Sequence, residues 1–195
     1  MLSNPKSQDS FLIFVPLLAA AFVVVVLAFT ARAGSPQETA APQTSQKEVS
    51  QLLGQSKAAA AELERDALVL ESFTRGNLSW QSHGEQLRLV KEHINSMGKD
   101  VQRLRELRPA AAPWQRQAID QIIPLMTEIA SLTESAIEHL NADPDKLHTA
   151  EYTEYLKEKA ELATELSALI SDTVKYDRAK AKVAELEKSL GLGGS

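Results

Sequence analysis

The sequence WQSHGEQLRLVKEHINSMGKDVQRL, residues 80–104, decides the fold of this chain. Side chains along one face recur at alternating steps of three and four residues, the spacing of an α-helix that packs against other helices. We expect the helix to begin after the N-cap candidate Ser79 and to end before Pro109, because proline disfavours a helical conformation in the residue before it. The predicted seam comprises Trp80, His83, Leu87, Val90, Ile94, Met97, Val101 and Leu104.

Three further helices are predicted from apolar periodicity and helix-end signals. One runs from about Gln46 to Arg75, before a glycine stop. Another opens at Pro113, where the missing N–H costs nothing, and ends at the turn that begins with Asn141. The last runs from about Thr149 to residue 190. The seam of the helix that opens at Pro113 is predicted to comprise Ala118, Ile122, Leu125, Ile129, Leu132, Ala136 and His139.

Short connections between long helices favour antiparallel neighbours. The predicted fold is therefore all-α: an N-terminal membrane or signal helix, then an antiparallel up-down four-helix bundle with coiled-coil-like seams over residues 47–190. The fourth helix would be roughly 63 Å long against roughly 43–45 Å for the others, so its C-terminal end should overhang the bundle. Its mixed charges, such as Glu154, Lys157, Glu158 and Lys159, are interpreted as a solvated face with local ion pairs. Residues 191–195 are expected to form a flexible tail.

The N-terminal segment from Phe11 to Phe29 is uncharged and, as a helix, would span roughly 28 Å, close to the thickness of a bilayer core. Ala31 and Ala33 stand where a signal peptidase prefers small residues. Residues 1–33 are therefore an uncleaved membrane anchor or a signal peptide cleaved after Ala33. The first places the bundle on the periplasmic side of the cell membrane as a single-pass protein, and the second makes it secreted or periplasmic. Residues 34–46, rich in Pro, Ser, Thr and Gln, are predicted to be a flexible tether.

Composition and motifs exclude several functions. The net charge of −5 argues against nucleic acid as a partner. The chain has no cysteine, which excludes disulfides and thiolate metal sites. Phosphate-binding loops, dinucleotide fingerprints and H-E-x-x-H motifs are missing, and no Glu stands three residues before a His as in di-iron bundles. We therefore expect a protein that is not an enzyme and has no cofactor.

One candidate site follows from the predicted topology. The start of the second helix, the end of the third and the start of the fourth should meet at one end of the bundle. Three hypotheses remain open: a hydrogen-bonded lid over the core, an aromatic-lined pocket for a small ligand or peptide, and a zinc or copper site built from the histidines. The residues gathered there are Trp80, His83, His139, His148, Tyr152 and Tyr155.

The layout of membrane segment, tether and helical bundle resembles the sensory ectodomains of bacterial receptors, a resemblance of architecture that implies no particular activity. The favoured function is a non-enzymatic envelope protein, a membrane-tethered or secreted helical module for interaction or structure. Its partner is an unknown protein or a second copy bound through residues 176–190. The alternative is a periplasmic module that binds a small ligand or metal through the His/aromatic cluster at its membrane-distal end.

Overall fold

A computed structural model describes residues 40–192 of the 195-residue chain. This part is all-helical, with α1 (Ala40–Ser72), α2 (Trp80–Leu107), α3 (Pro113–Ala142) and α4 (Ala150–Ser189). Short 3₁₀ helices, Phe73–Arg75 and Arg108–Ala110, extend the ends of α1 and α2. An all-α helical bundle is thus confirmed for the described residues. The predicted membrane or signal segment at residues 11–29 and the cleavage candidates Ala31 and Ala33 lie outside them. No helix within residues 40–192 is long and apolar enough to cross a membrane.

Local chemistry explains where the helices begin. The Ser79 side chain accepts a hydrogen bond from the Ser82 N–H at 3.3 Å, and Thr149 accepts one from the Tyr152 N–H at 3.3 Å. Each cap satisfies a donor that has no partner inside its helix. Pro113 is the first residue of α3, as predicted. The N–H that proline lacks would have no partner inside the helix at this position.

The predicted tether ends too late, because α1 begins at Ala40 and residues 40–46 are helical. Alanine has the strongest intrinsic preference for a helix, and two alanines open α1. Pro42 falls within the first turn, where an N–H has no intrahelical partner to lose. A proline in this position therefore does not interrupt the helix.

Neighbouring helices in the bundle run antiparallel. In each pair, a residue late in one helix contacts a residue early in the other. The contacts are Asp66 with Gln86 and Glu48 with Arg103 between α1 and α2, and His139 with Tyr152 and Trp114 with Tyr176 between α3 and α4. The start of α1 and the start of α3 meet at the same end of the bundle, where the Gln115 Nε2 donates to the Gln46 carbonyl at 2.8 Å.

The predicted seam of α2 lies in the core except at Trp80, which is 48% exposed, and Ile94, which is half-buried. The predicted seam of α3 needs a correction. Leu125, Leu132 and His139 are only half-buried, and the residue after each one is buried instead. The apolar stripe on a bundle helix is wider than one line of residues, so the line that starts one residue later can face the core instead. The buried residues of α3 are Gln115, Ala118, Ile119, Ile122, Met126, Ile129, Thr133, Ala136 and Leu140.

Helix α4 continues well beyond the core. Val174 is its last buried residue, and from Lys175 to Leu192 every residue is exposed except the half-buried Asp177. The exposed part still carries large apolar side chains. These are Tyr176 (52% exposed), Val183 (54%), Leu186 (47%) and Leu190 (69%).

Ile129 tests the position of the core. Its side chain is 0% exposed, so Ile129→Asp should place an unpaired carboxylate among apolar side chains and lower the free energy of unfolding by several kcal/mol. The neighbouring Glu128 is exposed, and Glu128→Ala should change it by less than about 0.5 kcal/mol. Urea unfolding measures both values. Equal stabilities of the two variants would contradict the observed burial of α3.

Candidate functional site

A cluster of polar aromatic side chains lies where α1 and α3 end and α2 and α4 begin. His83 and Tyr152 form its buried centre, at 1% and 0% exposure, with the His83 Nδ1 and the Tyr152 hydroxyl 3.1 Å apart. Phe73 packs edge-on against the His83 ring at 5.3 Å, and His139 stacks on the Tyr152 ring at 5.1 Å. We call Phe73, His83, His139 and Tyr152 the polar cluster.

His139 connects the polar cluster to the loop between α3 and α4. Its Nε2 lies 3.0 Å from the Lys146 carbonyl oxygen and 3.1 Å from the Thr149 hydroxyl. Because a carbonyl oxygen only accepts hydrogen bonds, this nitrogen carries the proton and donates. Thr149 is also the N-cap of α4, so His139 helps to fix the point at which α4 begins.

His83 is less completely satisfied. Its Nδ1 bonds to Tyr152, but its Nε2 is buried and has no hydrogen-bond partner within the described residues. Burial, and secondarily the nearby His148, lowers the pKa of His83, and burial raises the pKa of the Tyr152 hydroxyl. Both effects favour the uncharged forms, because a charge in a dry core loses its hydration. The centre of the polar cluster is therefore neutral.

The remaining predicted site residues do not join this centre. His148 is exposed, Trp80 is 48% exposed, and Tyr155 is half-buried with its hydroxyl donating to Glu151 at 2.7 Å. Within residues 40–192, no group of three or more His, Cys, Asp or Glu side chains could hold a metal ion. The three-histidine metal hypothesis thus gains no support from this part of the chain. The adjoining surface depression, lined partly by His139 and Tyr155, is about 270 Å³, smaller than most ligand pockets.

Lys159 is the functional candidate that sequence reasoning missed. It was predicted to belong to a solvated face, but it is 0% exposed and its Nζ has no hydrogen-bond partner in the described residues. Burial lowers the pKa of this amine to about 7. The signal was present in the sequence, because Lys159 occupies a seam position of α4. The seam comprises Tyr152, Leu156, Lys159, Ala163, Leu166 and Ile170, at alternating steps of four and three.

A second buried ionisable group lies on α1 and is fully paired. Asp66 is 5% exposed, and its carboxylate faces the His93 Nε2 at 3.0 Å and Arg65 at 3.3 Å. His93, which sequence analysis left out of the candidate site, is half-buried by this contact. A buried charge is normally paired with an opposite charge. Asp66 has such partners, and Lys159 has none among the described residues.

The central groups of the site are enclosed by the helices. Among residues 40–192, the Lys159 Nζ and the His83 Nε2 have no hydrogen-bond partner, and their side chains are 0–1% exposed. No family model, curated protein or solved structure matches this chain. The properties of the site therefore rest on its own geometry.

Lys159 should make stability depend on pH. Between about pH 7 and 10.5 the unfolded chain holds a proton on this amine that the folded chain has released. The free energy of unfolding should therefore rise with pH across this window, by up to about 1.4 kcal/mol per pH unit. Lys159→Met should be more stable than the wild type at pH 7, because methionine fills similar space without a charge. Its free energy of unfolding should also lack the rise with pH that Lys159 causes.

Urea unfolding at several pH values compares Lys159→Met with Lys157→Met. Lys157 is exposed on the same helix, and its replacement should leave the pH dependence unchanged. A Lys159→Met variant that keeps the wild-type pH slope would show that the amine is not buried.

Tyr152→Phe tests the hydrogen bond at the centre of the polar cluster. The variant leaves both nitrogens of the buried His83 ring without a partner and should cost about 1–3 kcal/mol. Tyr155→Phe removes a hydroxyl whose bond to Glu151 is exposed, and should cost less than about 0.5 kcal/mol. Thermal unfolding at neutral pH compares the variants. Equal melting temperatures would mean that the His83–Tyr152 bond contributes nothing.

Proposed function

We propose that this chain is a non-enzymatic envelope protein: a helical bundle held outside the cytoplasm by its N-terminal segment, which binds a protein partner through the exposed end of α4. The observation that carries the proposal is an apolar line on that end, at alternating steps of three and four residues. We call it the α4 stripe. It consists of Tyr176, Ala179, Val183, Leu186 and Leu190.

The α4 stripe stands out from the surface around it. Lys175 pairs with Asp172 at 2.8 Å and Lys182 with Glu185 at 3.0 Å, as on an ordinary solvated helix. Between these charges the stripe repeats the a/d pattern by which helices recognise other helices. A regular apolar surface left uncovered on a soluble part of a protein commonly marks an interaction site. An interaction module accounts for this feature, and an enzyme does not require it.

The chemistry of the core supports a non-enzymatic role. The groups with the strongest claim to catalysis, His83, Tyr152 and Lys159, are each at most 1% exposed. A general base or nucleophile must come within hydrogen-bond reach of its substrate. These groups are enclosed by the helices, so they are better suited to controlling stability than to turnover.

The proposal also relates the α4 stripe to the membrane. At the end of the bundle where α1 begins, Gln115 of α3 bonds to Gln46, and the adjacent Trp114 packs against Tyr176 at 5.2 Å. The stripe therefore begins at the end from which the chain leads back to residues 11–29. If those residues anchor the protein, the stripe lies at the anchored end of the bundle, and the polar cluster lies at the opposite end.

Photo-crosslinking in the source organism tests this function. The full chain carries a photoreactive residue at Val183 in one strain and at Ala181, on the opposite face of α4, in another. We expect Val183 to give a protein adduct in the membrane fraction and Ala181 to give several-fold less. The absence of any adduct at Val183, or equal adducts at both positions, would overturn the proposal. The mass of the adduct identifies the class of partner.

A further inference from the structure

The α4 stripe is not a continuation of the seam that α4 buries in its own bundle. Up to Val174 the core line includes Leu166, Ile170 and Thr173. The same spacing carried forward reaches polar or small residues in the exposed part of the helix, so this line ends where the bundle ends. The residues reached are Asp177, Lys180, Ala184 and Glu187.

The stripe instead prolongs the side of α4 that faces α3. At steps of seven residues, the line through Tyr176 and Val183 runs back through Leu169 and Leu162 to Tyr155. Those three are half-buried, and both ends of the line meet α3. Tyr155 packs against His139 at 6.4 Å, and Tyr176 packs against Trp114 at 5.2 Å. The stripe is therefore the α3-facing side of α4 beyond the point where α3 begins, at Pro113.

Helix α1 does not lie on this side of α4. The groove between α1 and α4 is lined by Leu68 and Glu71 of α1 and by Lys157, Ala160, Glu161 and Thr164 of α4. Steps of seven residues from these α4 members reach Ala181 and three charged side chains. The charged ones are Arg178, Lys182 and Glu185. The side of α4 that faces α1 is therefore mostly charged beyond the bundle, and it is distinct from the stripe.

The charges beside the stripe indicate what binds to it. Lys180 and Glu187 directly follow the stripe residues Ala179 and Leu186, so they hold equivalent flanking positions one heptad apart. Neither has an ion pair among the described residues. Flanking charges select the partner and orientation of a helix pair. If two copies of the stripe pack antiparallel, Lys180 of each copy faces Glu187 of the other, and two-fold symmetry forms this pair twice.

A parallel pairing is sterically blocked. Packed helices lie about 8–10 Å apart, so a second α4 running parallel beside the stripe would enter the space that α3 fills beyond Tyr176. An antiparallel copy avoids this clash, because only its tip reaches Trp114 and the rest of its bundle lies beyond Leu190.

We propose that the α4 stripe is a homodimer interface in which two copies pack antiparallel, with the tip of each α4 against Trp114 of the other. This inference rests on the proposed function and names its partner as a second copy of this chain. The starts of both α1 helices then lie near the middle of an elongated dimer, so both N-terminal segments can reach one membrane. The paired segment is short, so the dimer is weak in solution and gains from tethering both copies to one surface.

Because the chain has no cysteine, single cysteines report the pairing cleanly. In membranes that hold the full chain, Val183→Cys, near the two-fold axis, should form a disulfide dimer on mild oxidation. Leu190→Cys alone should not, because its two copies would lie about 20 Å apart and a disulfide needs Cβ atoms about 4 Å apart. Co-produced Tyr176→Cys and Leu190→Cys chains should cross-link to each other, because these two positions face each other when Val183 lies on the two-fold axis. A Leu190→Cys homodimer would show parallel packing and overturn the inference.

Charge reversal provides the second measurement, read as the yield of the Val183→Cys dimer. Lys180→Glu or Glu187→Lys should lower this yield by about fivefold or more, and the double variant should restore it. If neither single reversal changes the yield of the Val183→Cys dimer, the antiparallel pairing is overturned. If Val183 cross-links to a different protein and no cysteine dimer forms, the interaction function stands and the homodimer fails. If Val183 gives neither kind of product, both fail.

Discussion

The whole structure depends on one constraint: a helix in this bundle can bury only the line of side chains that its neighbours cover. Helix α2 has neighbours along its length, so its seam is buried from His83 to Leu107 apart from the half-buried Ile94. Helix α4 buries no side chain after Val174, although Tyr176 still contacts Trp114, and its core line becomes polar at that point. The apolar residues beyond it shift to another side of the helix. This shift separates residues that build the fold from residues available to a partner.

Most of the fold could be predicted because it follows from local rules. Helix starts came from caps such as Ser79 and Thr149, and the seam of α2 came from its spacing. The face of α3 was wrong by one residue, because lines through Leu125 and Met126 are equally compatible with the sequence and packing decides between them. The early start of α1 was missed because Pro and Gln near residue 42 were interpreted as a tether, although the first turn of a helix tolerates proline.

The candidate site could be predicted less completely. His83, His139 and Tyr152 were placed at one end by topology, but the inward direction predicted for His139 followed the wrong line of α3 and does not hold. Lys159 was missed because its charge outweighed its seam position, since lysine is rarely buried without a partner. Gln115 was missed for a related reason. It is 1% exposed, and it bonds to the Gln46 carbonyl and the Ser50 hydroxyl, which no sequence pattern identifies.

The buried bases also divide the bundle lengthwise. Towards the start of α1 the core contains apolar residues such as Val49 and Ile119 and the hydrogen-bonded Gln115. Towards the polar cluster it contains His83 and Lys159, each with a buried nitrogen that has no partner among the described residues. Unpartnered polar groups weaken the layers that hold them, so the bundle should open by breathing at the polar-cluster end first, where amide hydrogens exchange sooner. A force applied to the bundle through residue 40 would then act on its more stable end, where α1 begins. The end of the bundle at which α1 begins is therefore the more stable one, and the polar-cluster end is the first to loosen.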